Sequence, residues 1–372
     1  MIKNVSIEGF KCFSKSKFCF KNLTLLAGIN GAGKSSLIQS LLLIKEALRG
    51  PNTIPLDLPF GVNLGTAADI INWNCTDETI KLSLESNHNE VFTCHLQATH
   101  DSALYLNVNY LKESESILFF QKNPRSFNYL SAERQSPKAE YKICSKHIDD
   151  LEIGIYGENS AQILESLGNN IISDPERIHP DTPQDEAKFI IYQLERWLSC
   201  IVRPLKIKCE KIGSSSTVTL QFKTENSDWV KASNMGFGVT YSLPIILAGL
   251  ITPRGGVLIV ENPEAHLHPS GQSAMGEFIG WLADKGVQII LETHSDHVLN
   301  GVRIAIAAKK YLDPENANIF FFDNEDYIYQ ELLFNEFGSI SSWPKAFFDQ
   351  FQLDTASLGR VRRSRLKNGI HN

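Results

Sequence analysis

The segment GINGAGKS, Gly28–Ser35, combines residue types suited to one task, holding a polyphosphate. Gly28, Gly31 and Gly33 let the backbone turn its N–H groups toward phosphate oxygens, and a helix starting at the loop adds positive potential. Lys34 offers an ammonium for the β- and γ-phosphates, and the Ser35 hydroxyl is a ligand for magnesium. The complete GxxxxGK[ST] pattern lies between the apolar run LTLLA (23–27) and a run whose Leu37, Leu41, Ile44 and Leu48 recur at helical spacing until Gly50-Pro51. That strand, loop and helix context is the one in which the pattern binds a nucleotide.

Two more strand ends bear chemistry. In GGVLIVENPEAHLHP (255–269) an apolar strand over 257–260 ends in Glu261, suited to hold magnesium from the side opposite Ser35. In VQIILETHSD (287–296) a second strand delivers His294 at its tip. SNMGFG (233–238) is a polar glycine-rich stretch opening a helix, a second potential phosphate-facing helix start. His266, His268, His294 and His297 contain spacings that would also suit a transition metal, yet they fall where a nucleotide and an interface are expected. Asp296 is read two ways, as a partner of His294 or as the cap of the following helix. Glu133 and Arg134 either touch nucleotide or a partner protomer, or form an exposed ion pair.

The elements that must position these residues follow from periodicity. Short β-rich runs between Thr79 and Gln121 (TIKLSLE, VFTCHLQ, ALYLNVNYL, SILFFQ) predict an antiparallel layer on the core. Residues 150–200 read as helical, notably DEAKFIIYQLERWLSC with Ile190, Leu194, Trp197 and Leu198 on one face, and strands follow at 205–210 and 217–223. The last third alternates helix (239–250), strand (257–260), helix (271–284), strand (287–291), helix (296–308) and strands (318–322, 327–333), which predicts an α/β fold. With 372 residues, 42% of them hydrophobic, the chain has ample material for a core. Its net charge of -6 does not indicate a generally nucleic-acid-coating surface. Seven scattered cysteines without CxxC spacing fit reduced thiols, and neither a leader-like segment nor a long apolar run is evident, so a soluble cytoplasmic protein is expected.

Taken in order along the chain, phosphate loop, glycine-rich helix start, acidic strand end and histidine strand end, the motifs resemble the ABC/SMC/RecF class of P-loop ATPases, whose two protomers sandwich two nucleotides. The resemblance is closer to the bacterial AAA15/21-like and OLD-type ATPases, through IEGFKCF, VNLGTAADI, YLSAERQSP, NMGFGVTYSLPIILAGL, ENPEAHLHPSGQ and ETHSDHVLNGVRIA, and WPKAFFDQ resembles a C-terminal domain of unknown function often attached to them. It covers nearly the whole chain, least of all 140–215. It implies an ABC-type α/β core with an antiparallel layer and a helical lobe, and ATP with Mg2+ as cofactors. Carried onto this sequence, the phosphate loop is Gly28–Ser36, with Asn30, Gly31, Gly33, Lys34, Ser35 and Ser36 binding nucleotide. Asn234, Gly236 and Gly238 stand for the signature that reaches the partner's γ-phosphate, Glu261 with Ser35 for the magnesium side, and His294 for the switch histidine. Gln97 and Gln121 are candidates for the glutamine that follows a core strand in this class.

One departure stands out. Relatives end the acidic strand in two acids, the second polarising the attacking water, where this chain has Asn262, which can orient water but cannot accept its proton. Glu264 is the nearby carboxylate able to compensate. A slow ATPase and a nucleotide-held switch are both open on this reading. The 37–233 stretch lacks heptads, so no long coiled coil is expected, and residues beyond His294 are too few for a Toprim nuclease domain. The expected organisation is a single ABC-type domain, split as 1–130 with the phosphate loop, an inserted lobe at 131–232, 233–335 with signature, acidic strand and histidine, and a 336–372 extension with a basic tail. The implied function is an ATPase that dimerises on ATP, or forms a higher oligomer, and controls a separately encoded effector, a nuclease of an anti-phage module. A RecF-like ATPase binding DNA and a non-hydrolysing scaffold are the alternatives, and no membrane partner is expected.

Overall fold

The computed structural model describes residues 1–57, 61–75, 78–112, 115–213, 215–323 and 329–367. Its centre is a six-stranded sheet in the order β16 (Tyr329–Leu333), β15 (Ala317–Phe322), β3 (Leu23–Gly28), β14 (Gln288–Glu292), β13 (Val257–Glu261) and β8 (Phe127–Leu130). All neighbours are parallel except β16, which runs antiparallel to β15. Parallel strands covered on both faces should be apolar throughout, and β14 and β15 are buried along their whole length. Successive side chains of β14 enter different cores: Ile290 packs with Leu37, Leu41 and Ile44, whereas Ile289 and Leu291 pack with Trp197, Phe278 and Trp281.

The first core is closed by α1 (Lys34–Ala47) and by an antiparallel sheet in the order β2 (Phe13–Cys19), β1 (Ile2–Phe10), β5 (Thr79–Ser86), β6 (Val91–Gln97), β7 (Tyr105–Lys112) and β4 (Thr53–Pro55), with the short α2 (Ala67–Ile70) alongside. β5 alternates buried and half-buried positions, the signature of a sheet with one covered face. The second core is closed by α5 (Ile190–Ile201), α6 (Phe237–Ile251), α7 (Pro269–Asp284) and α8 (Asp296–Ala307). Beside it lie α4 (Ser160–Leu167) and a small antiparallel sheet of β9 (Tyr141–Lys142), β10 (Lys206–Lys211), β11 (Thr217–Lys223) and β12 (Val230–Lys231). α7 and α8 cross closely because Gly276 and Gly301 face each other; a Cβ on Gly301 would stand 2.0 Å from the Ser273 carbonyl oxygen. The longest helix among the described residues, α9 (Gln350–Lys367), has 18 residues, and no long coiled coil is present among them.

Two local expectations are corrected. SILFFQ is helical, within α3 (Glu115–Lys122), because the free edge of β7 is already taken by β4; the helix sets the Phe120 ring 5.8 Å from Phe127. α5 starts at Ile190 rather than Asp185, since Ile171 and Phe189 form a bridge and the Lys188 carbonyl accepts from Ile172 N–H at 2.9 Å. In the basic tail Arg360, Arg362 and Arg363 are exposed on α9. Of the acids in FFFDNEDY, Glu325 and Asp326 lie outside the described residues.

Candidate nucleotide site

The C-terminal ends of β3, β13 and β14 gather most of the chemistry. After β3 the loop needs left-handed backbone, supplied by Gly28 (φ 132°), Gly31 (φ 79°) and Gly33 (φ 113°). At Gly28 no other residue fits, because a Cβ would come 2.0 Å from the Phe322 carbonyl oxygen of β15. Lys34, the first residue of α1 and 4% exposed, folds back and donates to the carbonyls of Gly28 (2.8 Å) and Ile29 (2.9 Å). Burial lowers its proton affinity, against the pull of Glu292, whose Oε1 lies 4.0 Å from Nζ. Asn30, Gly31 and Ser35 are exposed, while Ser36 is half-buried and bonds the Cys12 thiol.

Glu261 and Glu292 are register partners at the ends of adjacent strands, so two carboxylates leave the sheet side by side. The Glu261 carboxylate is held by the Tyr129 hydroxyl (3.0 Å) and the Ala132 N–H (3.1 Å). Burial raises its pKa above the usual carboxylate range despite those donors. Glu292 is pushed up to about 7, by burial first and by the Glu261 charge second. Two neighbouring acids with raised proton affinity beside one lysine form a pair whose charged state a cation would stabilise. Among the described residues no group of three His, Cys, Asp or Glu could hold a metal by itself. Magnesium suits such a place, since it takes one or two protein oxygens and completes its shell with phosphate and water.

Asn262 has φ 44°, a left-handed conformation that asparagine tolerates better than most side chains, and its N–H donates to the Glu292 carbonyl at 2.9 Å. Arg134, 4% exposed, donates to the carbonyls of Ser131 (3.0 Å), Glu261 (2.8 Å) and Asn262 (2.5 Å), and burial lowers its pKa to about 10. It therefore clamps the turn after β13 and forms no exposed ion pair with Glu133. Glu264 accepts from the Thr293 hydroxyl (2.8 Å) and the His294 N–H (2.9 Å), so it fixes the turn that presents the exposed His294. Burial, then Lys34, lowers the His294 pKa. Asp296 has neither of its expected roles: Ser295 caps α8 by accepting from the N–H groups of His297 (3.1 Å) and Val298 (3.2 Å), and Asp296 lies 3.8 Å from His297.

Asn234, Gly236 and Gly238 are brought elsewhere. Gly236 caps α6, Asn234 and Gly236 are exposed, and the described contacts of this helix start are with Tyr241 and the 266–267 turn beyond β13. Phe237 stacks on His266 at 5.0 Å and stays 46% exposed. Gln121 lies on α3 and donates to the Leu48 carbonyl, and Gln97 ends β6 in the antiparallel layer. Sequence reading missed Glu292 and Tyr129, and gave Arg134 other roles than the carbonyl clamp it forms. The signal for Glu292 was present: QIILE and VLIVE are two core strands ending in the same acid.

With P-loop, acidic strand end and histidine strand end on one edge of a parallel sheet, the chain is an ABC/SMC-like P-loop ATPase of the OLD type. It belongs to the family described as "AAA domain, putative AbiEii toxin, Type IV TA system", whose model matches residues 95–300. Residues 1–162 also match an AAA ATPase domain, and residues 312–358 a protein family of unknown function. A curated relative, the Old nuclease of Escherichia phage P2, is 21% identical over 345 residues, 82% of this chain and 58% of the relative, so the chain spans little more than half of that protein. Among solved structures, an Smc head bound to the C-terminal winged-helix domain of ScpA matches at TM-score 0.52 and 12% identity, over 90% of this chain and 98% of that one. An Smc head with extended coiled coil, bound to the C-terminal domain of ScpA, from Pyrococcus furiosus, matches at 0.51 and 12%, over 97% and 99%. These two likenesses are of fold.

Proposed function

We propose that this chain binds Mg2+-ATP, hydrolyses it slowly, and pairs with a second copy across the nucleotides to control a separately encoded effector. The observation that carries the reading is the split of the chemistry into two surfaces. Lys34, Ser35, Glu261, Glu292 and His294 meet at one sheet edge, while the exposed glycine-rich start of α6 makes its described contacts with the turn beyond β13 rather than with the P-loop. A half-site of this kind is completed by a second protomer.

In this reading the N–H groups of 30–36 and Lys34 hold the phosphates, Ser35 and Glu261 hold magnesium, and His294, oriented by Glu264, faces the terminal phosphate. Magnesium neutralises phosphate charge where it binds. Asn262 orients the attacking water. Glu292, at the level of Glu261 but one strand nearer the P-loop, is positioned to take the proton; Glu264 is the second carboxylate within the site. The 1–130 and 233–335 portions act as one unit because β3 lies between β15 and β14 and β8 pairs with β13 in one sheet. No helix among the described residues is long and apolar enough to cross a membrane, and a cytoplasmic site of action suits an ATP-driven switch. A nuclease effector is favoured by the Old nuclease relative, and a DNA partner is the second reading.

The experiment is calorimetry with Mg2+-ATP. Wild type is expected to bind and Lys34→Ala to lose binding, because Lys34 is the ammonium seated at the loop. Retained affinity in that variant removes the P-loop assignment.

A further inference from the structure

The segment after β16, most of it within the family of unknown function, borders the P-loop. A cavity of about 410 Å³ has Gly28, Thr293 and His294 on one wall and residues 345–350 with Leu353 on the other. The far wall is anchored: Phe347 is 1% exposed, its ring is 5.4 Å from Phe321 of β15 and 5.0 Å from Trp343, and Arg303 of α8 lies over the Trp343 ring at 6.0 Å. Between these anchors and α9 the backbone is wound tightly, with Ala346 at φ 65° and Phe348 at φ 50°, left-handed conformations uncommon for such side chains. Backbone held this way clusters at ligand clamps and switch segments. Lys345 is the only ammonium among the described residues lining the cavity, is exposed, and has no acid within ion-pair distance among them. Asp349, the acid beside it, is taken up by the Ala346 N–H at 3.1 Å.

Resting on the nucleotide site proposed above, we infer that Lys345 binds the terminal phosphate of ATP across the cavity from His294, and that the 345–349 turn thereby reports nucleotide state to α9. A third phosphate on the P-loop places anionic oxygens near His294, and an unpaired ammonium on a tightly wound turn is drawn toward them. ADP lacks the group that Lys345 would meet.

The test compares Mg2+-bound AMPPNP with Mg2+-ADP by calorimetry. Lys345→Ala is expected to weaken AMPPNP about tenfold, the scale of one charge-assisted hydrogen bond, and ADP less than twofold, while Lys345→Arg keeps the wild-type ratio. In wild type, hydrogen exchange of Ala346–Leu353 should slow with AMPPNP and not with ADP. An AMPPNP to ADP ratio unchanged by Lys345→Ala, or exchange slowed equally by both nucleotides, overturns the inference and leaves the P-loop reading intact. Failure of wild type to bind either nucleotide overturns both.

Discussion

At the residue scale, Asn262 is accounted for by its backbone. Its left-handed φ and the clamp of Arg134 on its carbonyl favour a short polar side chain, so a glutamate there would cost about 1 kcal/mol in conformation. In the proposed reading the carboxylate missing from that position is supplied by Glu292 on the next strand. Glu292→Gln is expected to slow phosphate release by about 10² with nucleotide binding retained, the usual share of a general base. Glu264→Gln should also slow it, but by displacing His294, since the Gln amide offers the Thr293 hydroxyl and His294 N–H one acceptor oxygen where the carboxylate offers two. Steady-state phosphate release separates the two: Asn262→Glu should rescue Glu292→Gln and not Glu264→Gln. A rate untouched by Glu292→Gln moves the base to Glu264 or to the partner protomer.

At the element scale, α1 carries a buried charge as well as the phosphate lysine. Lys45 is 8% exposed, lies 3.5 Å from Glu152 and has its pKa lowered to about 8, mainly by burial. Below pH 8 both folded and unfolded chains hold this proton, and the full penalty of burying the ammonium is present. Between about 8 and the ordinary 10.5 the folded chain releases it first, so this position gains stability as pH rises, by on the order of 3 kcal/mol at most. Lys45→Met should therefore melt higher than wild type at pH 7 and lose that advantage by pH 10, since Arg49 still pairs Glu152 at 3.0 Å. Thermal melts across that range decide it; a lower melting point at pH 7 would show that the ion pair outweighs burial. Strong periodicity made these elements readable in the sequence: α1, β13, β14 and α8 lie within a few residues of their expected bounds. SILFFQ was not readable, because an apolar run of six fits either period and the occupancy of β7's far edge by β4 is a non-local fact. Likewise Arg134 looks like a surface residue in SAER, and only the β8–β13 pairing reveals the carbonyls it meets.

At the scale of the whole molecule, the exposed glycine-rich start of α6 is the face proposed to meet a second protomer. Nothing stands within 4 Å of a Cβ placed on Gly236, so Gly236→Arg should fold normally and yet put a long cation where backbone must approach phosphate. ATP-driven association in light scattering is expected to fail in this variant with ATP affinity retained. Wild-type association by the variant would rule out pairing through this face. The sequence order of motifs singled out that segment, whereas its placement against the turn beyond β13 rests on contacts distant in sequence, such as Gly238 with His266.

That strand order also bears on how the protein is made. β3 lies between β14 and β15, and the buried Gln288 of β14 bonds Ile2 N–H at 2.7 Å and the carbonyls of Ile2 and Lys21 at 2.6 and 3.0 Å. The strand that bears the phosphate loop is therefore synthesised long before either of its neighbours. At roughly 5–20 residues per second it waits on the order of 15–60 s for β15 to be synthesised. A nascent or truncated chain ending before Ala317 lacks the strand that flanks Gly28 on one side, so full nucleotide affinity is expected only once β15 has been made.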